Sequence, residues 1–202
     1  MRFPFFASFI IFCIWLGYEI HKHRNMDAKA SEAFWKKEAA ANSTRRKPLD
    51  DLEYIQIPFD NLPMDALTGH PAVKDCHETL RELSQNPIVN LTGISNTDLK
   101  LKYGAPNIEL LSQYDQRYTV LARTLQAWAA ALYGDGYVSE SRAVLEFAVK
   151  TRTDVSSTYK LLSSIYQEMG QTDKIKELIP VAQNLNSPLK NNIVKALQDL
   201  CQ

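Results

Sequence analysis

Hydrophobic residues in the second half of the chain recur at steps of three and four, the spacing of one face of an α-helix. Glycines interrupt this pattern at Gly134, Gly136 and Gly170, where we expect helices to end. The pattern predicts five helices, at residues 108–133, 139–150, 155–169, 172–185 and 189–200. Pro180 lies inside the fourth of these helices and is expected to kink it.

The pattern is less regular between residues 52 and 107. Residues 52–63, LEYIQIPFDNLP, contain two prolines that exclude an ordinary helix and favour an extended chain. This segment is too apolar for a free linker, so we expect it to pack along the helical domain; the alternative is a partner-binding peptide. A helix is predicted at 73–85. A short helix from Asn96 or Thr97 to Tyr103, stopped by Gly104, is expected within the loop-rich stretch 90–107.

At the N-terminus, residues 3–18 contain no charged residue, and this run predicts a single transmembrane helix that anchors the protein. The alternative is a cleaved signal peptide, but the small residues of a cleavage site are missing after the run. Several lysines and arginines follow the run, whereas only Arg2 precedes it. Because positive charge favours the cytoplasmic side, we expect a single-pass membrane protein whose soluble domain lies in the cytoplasm.

These features divide the chain into four parts. Residues 1–20 are the predicted transmembrane anchor, and residues 21–51 are a basic juxtamembrane helix and linker. Residues 52–106 hold the extended segment and short helices, and residues 107–202 form the helical domain. The positive charge is concentrated before the predicted folded part, which is mildly acidic. This distribution argues against a nucleic-acid partner, because a nucleic-acid-binding domain carries its positive charge on the folded part.

Within the helical domain, residues 34 positions apart match each other. The matched pairs are Gly136 with Gly170, Trp128 with Leu162, Ala129 with Ser163, Leu132 with Tyr166, Leu145 with Ile179 and Ala148 with Ala182. A 34-residue period of helix, turn and helix is typical of tetratricopeptide repeats, and the chain resembles that family over residues 122–187. Residues 189–201 resemble a capping helix, whereas Ser141 and Ile175 stand where the family usually has alanine.

The resemblance implies an all-α fold of tetratricopeptide-like antiparallel helical hairpins in a right-handed superhelical array, here preceded by the single transmembrane helix. The alternative is a plain helical bundle with a chance period, because two copies are few for a repeat. The small residues Ala129, Ser163, Ala148 and Ala182 are expected to be buried, since they let neighbouring helices approach closely.

In tetratricopeptide-like arrays the first helix of each unit lines a concave groove, so the resemblance also implies a binding surface. Its candidate binding residues are Arg123, Gln126, Tyr133, Lys160, Gln167 and Asn191. This face carries two cations and no acidic residue, so we expect a protein or peptide partner with carboxylate groups. The alternative is that residues 52–63 of the same chain occupy the groove.

Sequence motifs for catalysis are missing: there is no phosphate-binding glycine loop, no HExxH motif and no set of four metal ligands. We therefore predict no enzyme activity, no cofactor and no metal. The predicted function is a membrane-anchored scaffold, held in the membrane through residues 3–20, that binds a peptide or protein partner. One alternative is a structural subunit of a membrane complex. The other is an enzyme that uses the 90–107 loop with Cys76 or His77, which requires Cys76, His77, Asn96 and Asp98 to line one pocket.

Overall fold

The computed structural model describes residues 4–201, apart from the side chains of residues 4–7, 23–26 and 28. The described residues form helices and no strand, and an isolated antiparallel bridge joins Tyr54 and Val89. The α-helices are α1 (Pro4–Asn42), α2 (Pro71–Ser84), α3 (Asn96–Tyr103), α4 (Ile108–Gly134), α5 (Val138–Lys150), α6 (Ser156–Glu168), α7 (Thr172–Gln183) and α8 (Lys190–Asp199). Short 3-10 helices lie at Phe59–Asn61 and Ala105–Asn107.

Among the residues that the structure describes with their side chains, no helix has the length and apolar character needed to cross a membrane. The predicted transmembrane helix is therefore wrong, and so is the single-pass membrane location. The all-α part of the predicted fold class is confirmed for the described residues. The cytoplasmic placement was derived from the transmembrane helix and loses its basis. The physical reason is that the uncharged run of residues 3–18 is shorter than the ~20 residues a span needs. Glu19 and Lys22 follow within the same helix, α1. Phe3, where the run begins, lies outside the described residues.

The chain forms two compact units, the first of which contains α1, the chain as far as Lys47, and residues 96–106. Here α3 packs against α1. Lys100 Nζ lies 2.6 Å from Glu38 Oε1, and Thr97 Oγ1 donates a hydrogen bond of 2.5 Å to Glu38 Oε2. These two hydrogen bonds, with that from Lys100 the stronger cause, lower the pKa of the Glu38 carboxyl below its ordinary value.

The short helix predicted from Asn96 or Thr97 to Tyr103 is observed as α3. Gly104 follows its last residue, as predicted. Gly104 has φ +95°, and a Cβ atom there would lie 2.2 Å from the carbonyl oxygen of Arg45. Both the left-handed backbone and the close approach of Arg45 therefore require glycine at this position.

The second unit contains residues 48–95 and 107–202, with α2 and α4–α8. In this unit α4 packs against α2 and α5, and α6 packs against α5, α7 and α8. The predicted helices of this unit lie within a few residues of the observed ones, and Pro180 lies inside α7. The largest fully buried side chains of the unit are Trp128, Tyr159, Leu80, Ile88, Leu111, Leu121, Leu125, Leu132, Leu145, Leu162, Ile165 and Ile175.

The four small residues of the repeat, Ala129, Ala148, Ser163 and Ala182, are completely buried, as predicted. Ser141, where alanine was expected, is also completely buried, and its Oγ donates a hydrogen bond of 2.8 Å to the carbonyl oxygen of Ala129. The buried hydroxyl of Ser141 therefore has a hydrogen-bond partner at the point where α4 and α5 approach each other closely.

The apolar segment 52–63 packs into the same core. Ile57 and Leu62 belong to the buried cluster, and Ile55 and Phe59 pack against it. The segment thus lies along the helical unit, as its hydrophobic character predicted.

Candidate functional site

The predicted groove residues lie on three helices of the second unit. Arg123 is exposed on α4, Lys160 and Gln167 are exposed on α6, and Asn191 is exposed on α8. Neither Arg123 nor Lys160 forms an ion pair with a described residue, so both cations are accessible to an anionic ligand.

Gln126 and Tyr133, the two remaining predicted residues, join α4 to α6. Thr158 Oγ1 donates a hydrogen bond of 2.7 Å to Gln126 Oε1, and the Tyr133 hydroxyl donates to Glu168 Oε1. This second hydrogen bond raises the pKa of Tyr133. These two hydrogen bonds bring side chains of α4 and α6 together. The sequence predicted two cations and no acidic residue on the groove face. Glu168, which bonds to the groove residue Tyr133, is an acidic side chain beside it.

A large cleft, with a volume of about 680 Å³, lies elsewhere in this unit, and none of the six predicted groove residues lines it. Two of its walls are the turns between α5 and α6 and between α7 and α8. These turns are 34 residues apart in the sequence, so Lys150 and Arg152 in the first correspond to Asn184 and Asn186 in the second. The other walls are the segment 53–58 and the loop 90–94.

Hydrogen bonds from three side chains hold the α5–α6 turn in place. Asn90 Nδ2 donates to the carbonyl oxygens of Thr151 and Arg152, at 3.1 and 3.2 Å. The hydroxyl of Tyr118 donates to the Thr151 carbonyl at 3.3 Å, and that of Tyr159 donates to the Thr153 carbonyl at 2.9 Å. Burial raises the pKa of Tyr118 to about 12 and also raises that of Tyr159, so both phenols stay protonated as donors at neutral pH.

The loop 90–94 is tied to the helices in a similar way. The backbone N–H of Leu91 donates to Asp115 Oδ1 at 3.0 Å, and Asn186 Nδ2 donates to the Thr92 carbonyl at 3.3 Å. Gly93 has φ +77°, and a Cβ atom there would lie 1.9 Å from the carbonyl oxygen of Asn186. The polar residues at the start of the 90–107 stretch therefore form hydrogen bonds that hold the backbone in place.

Arg152 has a left-handed backbone, with φ +60°. Its N–H donates to the Val149 carbonyl at 2.9 Å, and the N–H of Thr153 donates to the Ala148 carbonyl at 3.4 Å, which together form a Schellman cap at the end of α5. Gly136 and Gly170 occupy the equivalent left-handed positions after α4 and α6. An arginine therefore stands where the other two caps have glycine.

Replacing Arg152 by glycine is expected to raise the free energy of unfolding by up to about 1.5 kcal/mol. The left-handed backbone costs an L-residue about 1–2 kcal/mol, and the greater freedom of glycine in the unfolded chain offsets about 0.5–1 kcal/mol. Gly136→Ala is expected to lower the free energy of unfolding by about 1 kcal/mol, through backbone strain alone, because a Cβ there meets nothing within 4 Å. Urea denaturation of both variants measures these changes. A marked fall in the free energy of unfolding of Arg152→Gly would contradict the prediction, because the contacts of the arginine side chain would then outweigh the strain of its left-handed backbone.

A smaller cavity of about 260 Å³ lies between α6 and α8. Lys160, one of the predicted groove residues, lines it together with Tyr159, Ser163 and Ile193. Ser163 is completely buried, and its hydroxyl has no hydrogen-bond partner among the described residues.

The residues required by the enzyme hypothesis belong to different units. Cys76 and His77 are buried on α2 in the second unit, where the His77 ring lies edge-on to Trp128 with centroids 4.8 Å apart. Asn96 and Asp98 lie on α3 in the first unit, where Asp98 Oδ1 is 2.7 Å from Lys37 Nζ. Burial raises the pKa of the Cys76 thiol and lowers that of His77, and a raised thiol pKa is the opposite of what a nucleophile needs. Among the described residues, no cluster of histidine, cysteine and carboxylate side chains could hold a metal ion.

Comparison of the chain with models of known protein families, with characterised proteins and with solved structures found no match. The candidate function therefore depends on the geometry of the two surfaces described above.

Proposed function

We propose that this protein is an interaction scaffold of tetratricopeptide-like helical hairpins, which binds an extended protein or peptide segment along the face formed by α4 and α6. The observation that carries this proposal is the side-by-side arrangement of the two helices. They are joined by Gln126 with Thr158 and by Tyr133 with Glu168. These two contacts, one near the start and one near the end of α6, support a binding face that draws residues from both helices.

The charges of this face favour a partner with carboxylate groups. Arg123 and Lys160 are exposed and form no ion pair within the described part of the chain, while the carboxylate of Glu168 accepts a hydrogen bond from Tyr133. Gln167 and Asn191 add side chains that can donate to and accept from a peptide backbone. Such a face can hold an extended acidic segment through charge-assisted hydrogen bonds.

The test is the double variant Arg123→Glu with Lys160→Glu, used as bait in a quantitative pull-down from the cells that produce the protein. Each lost charge-assisted hydrogen bond is worth about 1.5–3 kcal/mol, so recovery of a specific partner should fall by about tenfold or more. The matched control is Arg81→Glu with Lys176→Glu, which changes the charge equally on α2 and α7 and should leave recovery unchanged. Equal recovery with both double variants, at unchanged helix content, would contradict the proposal.

A further inference from the structure

The large cleft has the size of a ligand site, and its walls are already held in place. Its volume of about 680 Å³ lies within the range of about 300–1,000 Å³ that is usual for binding pockets. Asn90, Tyr118 and Tyr159 hold the α5–α6 turn, and Asn186 holds the loop 90–94. Because these groups are already ordered, a ligand can bind without the entropic cost of ordering the walls.

One wall of the cleft presents backbone groups without partners. Tyr54 forms an antiparallel bridge with Val89, and the N–H of Ile55 donates to the Ile88 carbonyl at 2.9 Å. Since successive N–H groups of an extended chain point in opposite directions, the N–H of Gln56 points away from Ile88. Neither the N–H nor the carbonyl of Gln56 forms a backbone hydrogen bond with any described residue. This edge is open to another extended segment.

Amide side chains on facing parts of the cleft offer further hydrogen bonds. Gln56 lies on the extended segment, and Asn184 lies on the α7–α8 turn. Both are exposed, and neither amide is bonded within the part of the chain that the structure describes. Side-chain amides both donate and accept, which suits them to bind the N–H and carbonyl groups of a peptide backbone.

The cleft also offers two cations. Lys150 is exposed and has no ion-pair partner among residues 4–201. Arg152 Nη1 lies 3.3 Å from Glu53 Oε2, but their side chains are 64% and 80% exposed, so the pair is weak enough for a ligand carboxylate to replace. The other carboxylate of the cleft, Asp154, accepts a hydrogen bond of 2.7 Å from Ser187 Oγ.

The backbone of Arg152 is a separate indication of function. A left-handed residue other than glycine is strained, and it persists only where its surroundings hold it. Here Asn90 and the Schellman hydrogen bonds hold the turn, whereas glycine occupies the two equivalent caps. Arginine at this position places a guanidinium group at the cleft, at a cost in stability that glycine would not incur.

We propose that this cleft is a second binding site, for an extended acidic peptide segment. The carboxylates of the peptide bind Lys150 and Arg152, and its backbone pairs with Gln56 and Asn184. The site is separate from the α4–α6 face, so it does not depend on the function proposed for that face.

The test uses the full chain and a fluorescent pool of short blocked peptides in which glutamate alternates with mixed residues. Affinity is measured by fluorescence anisotropy, and the site of binding is located from amide chemical shifts of the ¹⁵N-labelled protein. We expect shifts at Gln56, Asn90, Arg152 and Asn184. The double variant Lys150→Gln with Arg152→Gly should bind at least about tenfold more weakly, because the turn keeps its shape while both charges are lost.

Two controls make the result decisive. Arg81→Gln with Lys176→Gln removes the same charge from α2 and α7 and should leave the affinity unchanged. Arg123→Glu with Lys160→Glu alters the α4–α6 face. The peptide pool should still change the chemical shifts of the cleft residues in this variant. The two proposals can therefore fail separately. The cleft proposal is overturned if the pool does not bind, if a pool with glutamine in place of glutamate binds equally well, or if the shifts cluster on α4 and α6.

Discussion

Replacement of Trp128 by alanine is expected to lower the free energy of unfolding of the helical unit by about 3–5 kcal/mol, the usual range for removing a large buried aromatic ring. Trp128 is completely buried on α4, which packs against both α2 and α5. Its ring contacts the edge of the His77 ring from α2, with centroids 4.8 Å apart. The substitution therefore leaves a cavity at a point where separate helices meet and cannot easily close it.

Trp128→Phe is the matched control, because it keeps an aromatic ring in the same place. The indole Nε1 has no hydrogen-bond partner among the described residues, so its removal leaves no other polar group unsatisfied. We expect Trp128→Phe to lower the free energy of unfolding by less than about 1.5 kcal/mol, the usual limit for a substitution that keeps most of the volume. Urea denaturation followed by far-ultraviolet circular dichroism measures both variants. A similar loss in the two would mean that the volume at Trp128 does not determine the stability of the unit.

Introducing tryptophan at Ala129 is expected to lower the free energy of unfolding by about 3 kcal/mol through overpacking. Ala129 is completely buried, and the hydroxyl of Ser141 on α5 lies 2.8 Å from its carbonyl oxygen. The helices α4 and α5 are therefore so close at this point that an indole ring fits only if they move apart.

The neighbouring residue supplies the control for this prediction. Ala130 is exposed on the same helix, so Ala130→Trp should change the free energy of unfolding by less than about 0.5 kcal/mol. The two variants have the same composition and differ by one position, and chemical denaturation compares them directly. If they are equally stable, the assignment of Ala129 to the close contact between α4 and α5 is wrong.

The helices and the small buried residues could be predicted from the sequence because both depend on local spacing. Apolar residues at steps of three and four indicate which face of a helix is buried, and the 34-residue period placed Ala129, Ala148, Ser163 and Ala182 at close contacts. The prolines and apolar residues of 52–63 showed in the same way that this segment could be neither an ordinary α-helix nor a free linker.

The transmembrane prediction failed for a physical reason. Residues 3–18 are apolar enough to predict a span, but the run is shorter than the hydrocarbon core requires. The stretch 90–107 shows another limit. Its first residues, 90–95, belong to the second unit and its next residues, 96–106, belong to the first, a division that no change in composition indicates.

The sequence by itself determined the helical periodicity, the repeated glycine turns and the four small contact positions, because each follows from spacing along the chain. The cleft, by contrast, could be recognised only from the tertiary structure. Its walls come from segments that are far apart in sequence, and Asn90 reaches Thr151 and Arg152 only because the chain folds back on itself. The left-handed backbone of Arg152 could not be predicted either, because local preference favours glycine there and the hydrogen bonds that hold the turn involve residues distant in sequence.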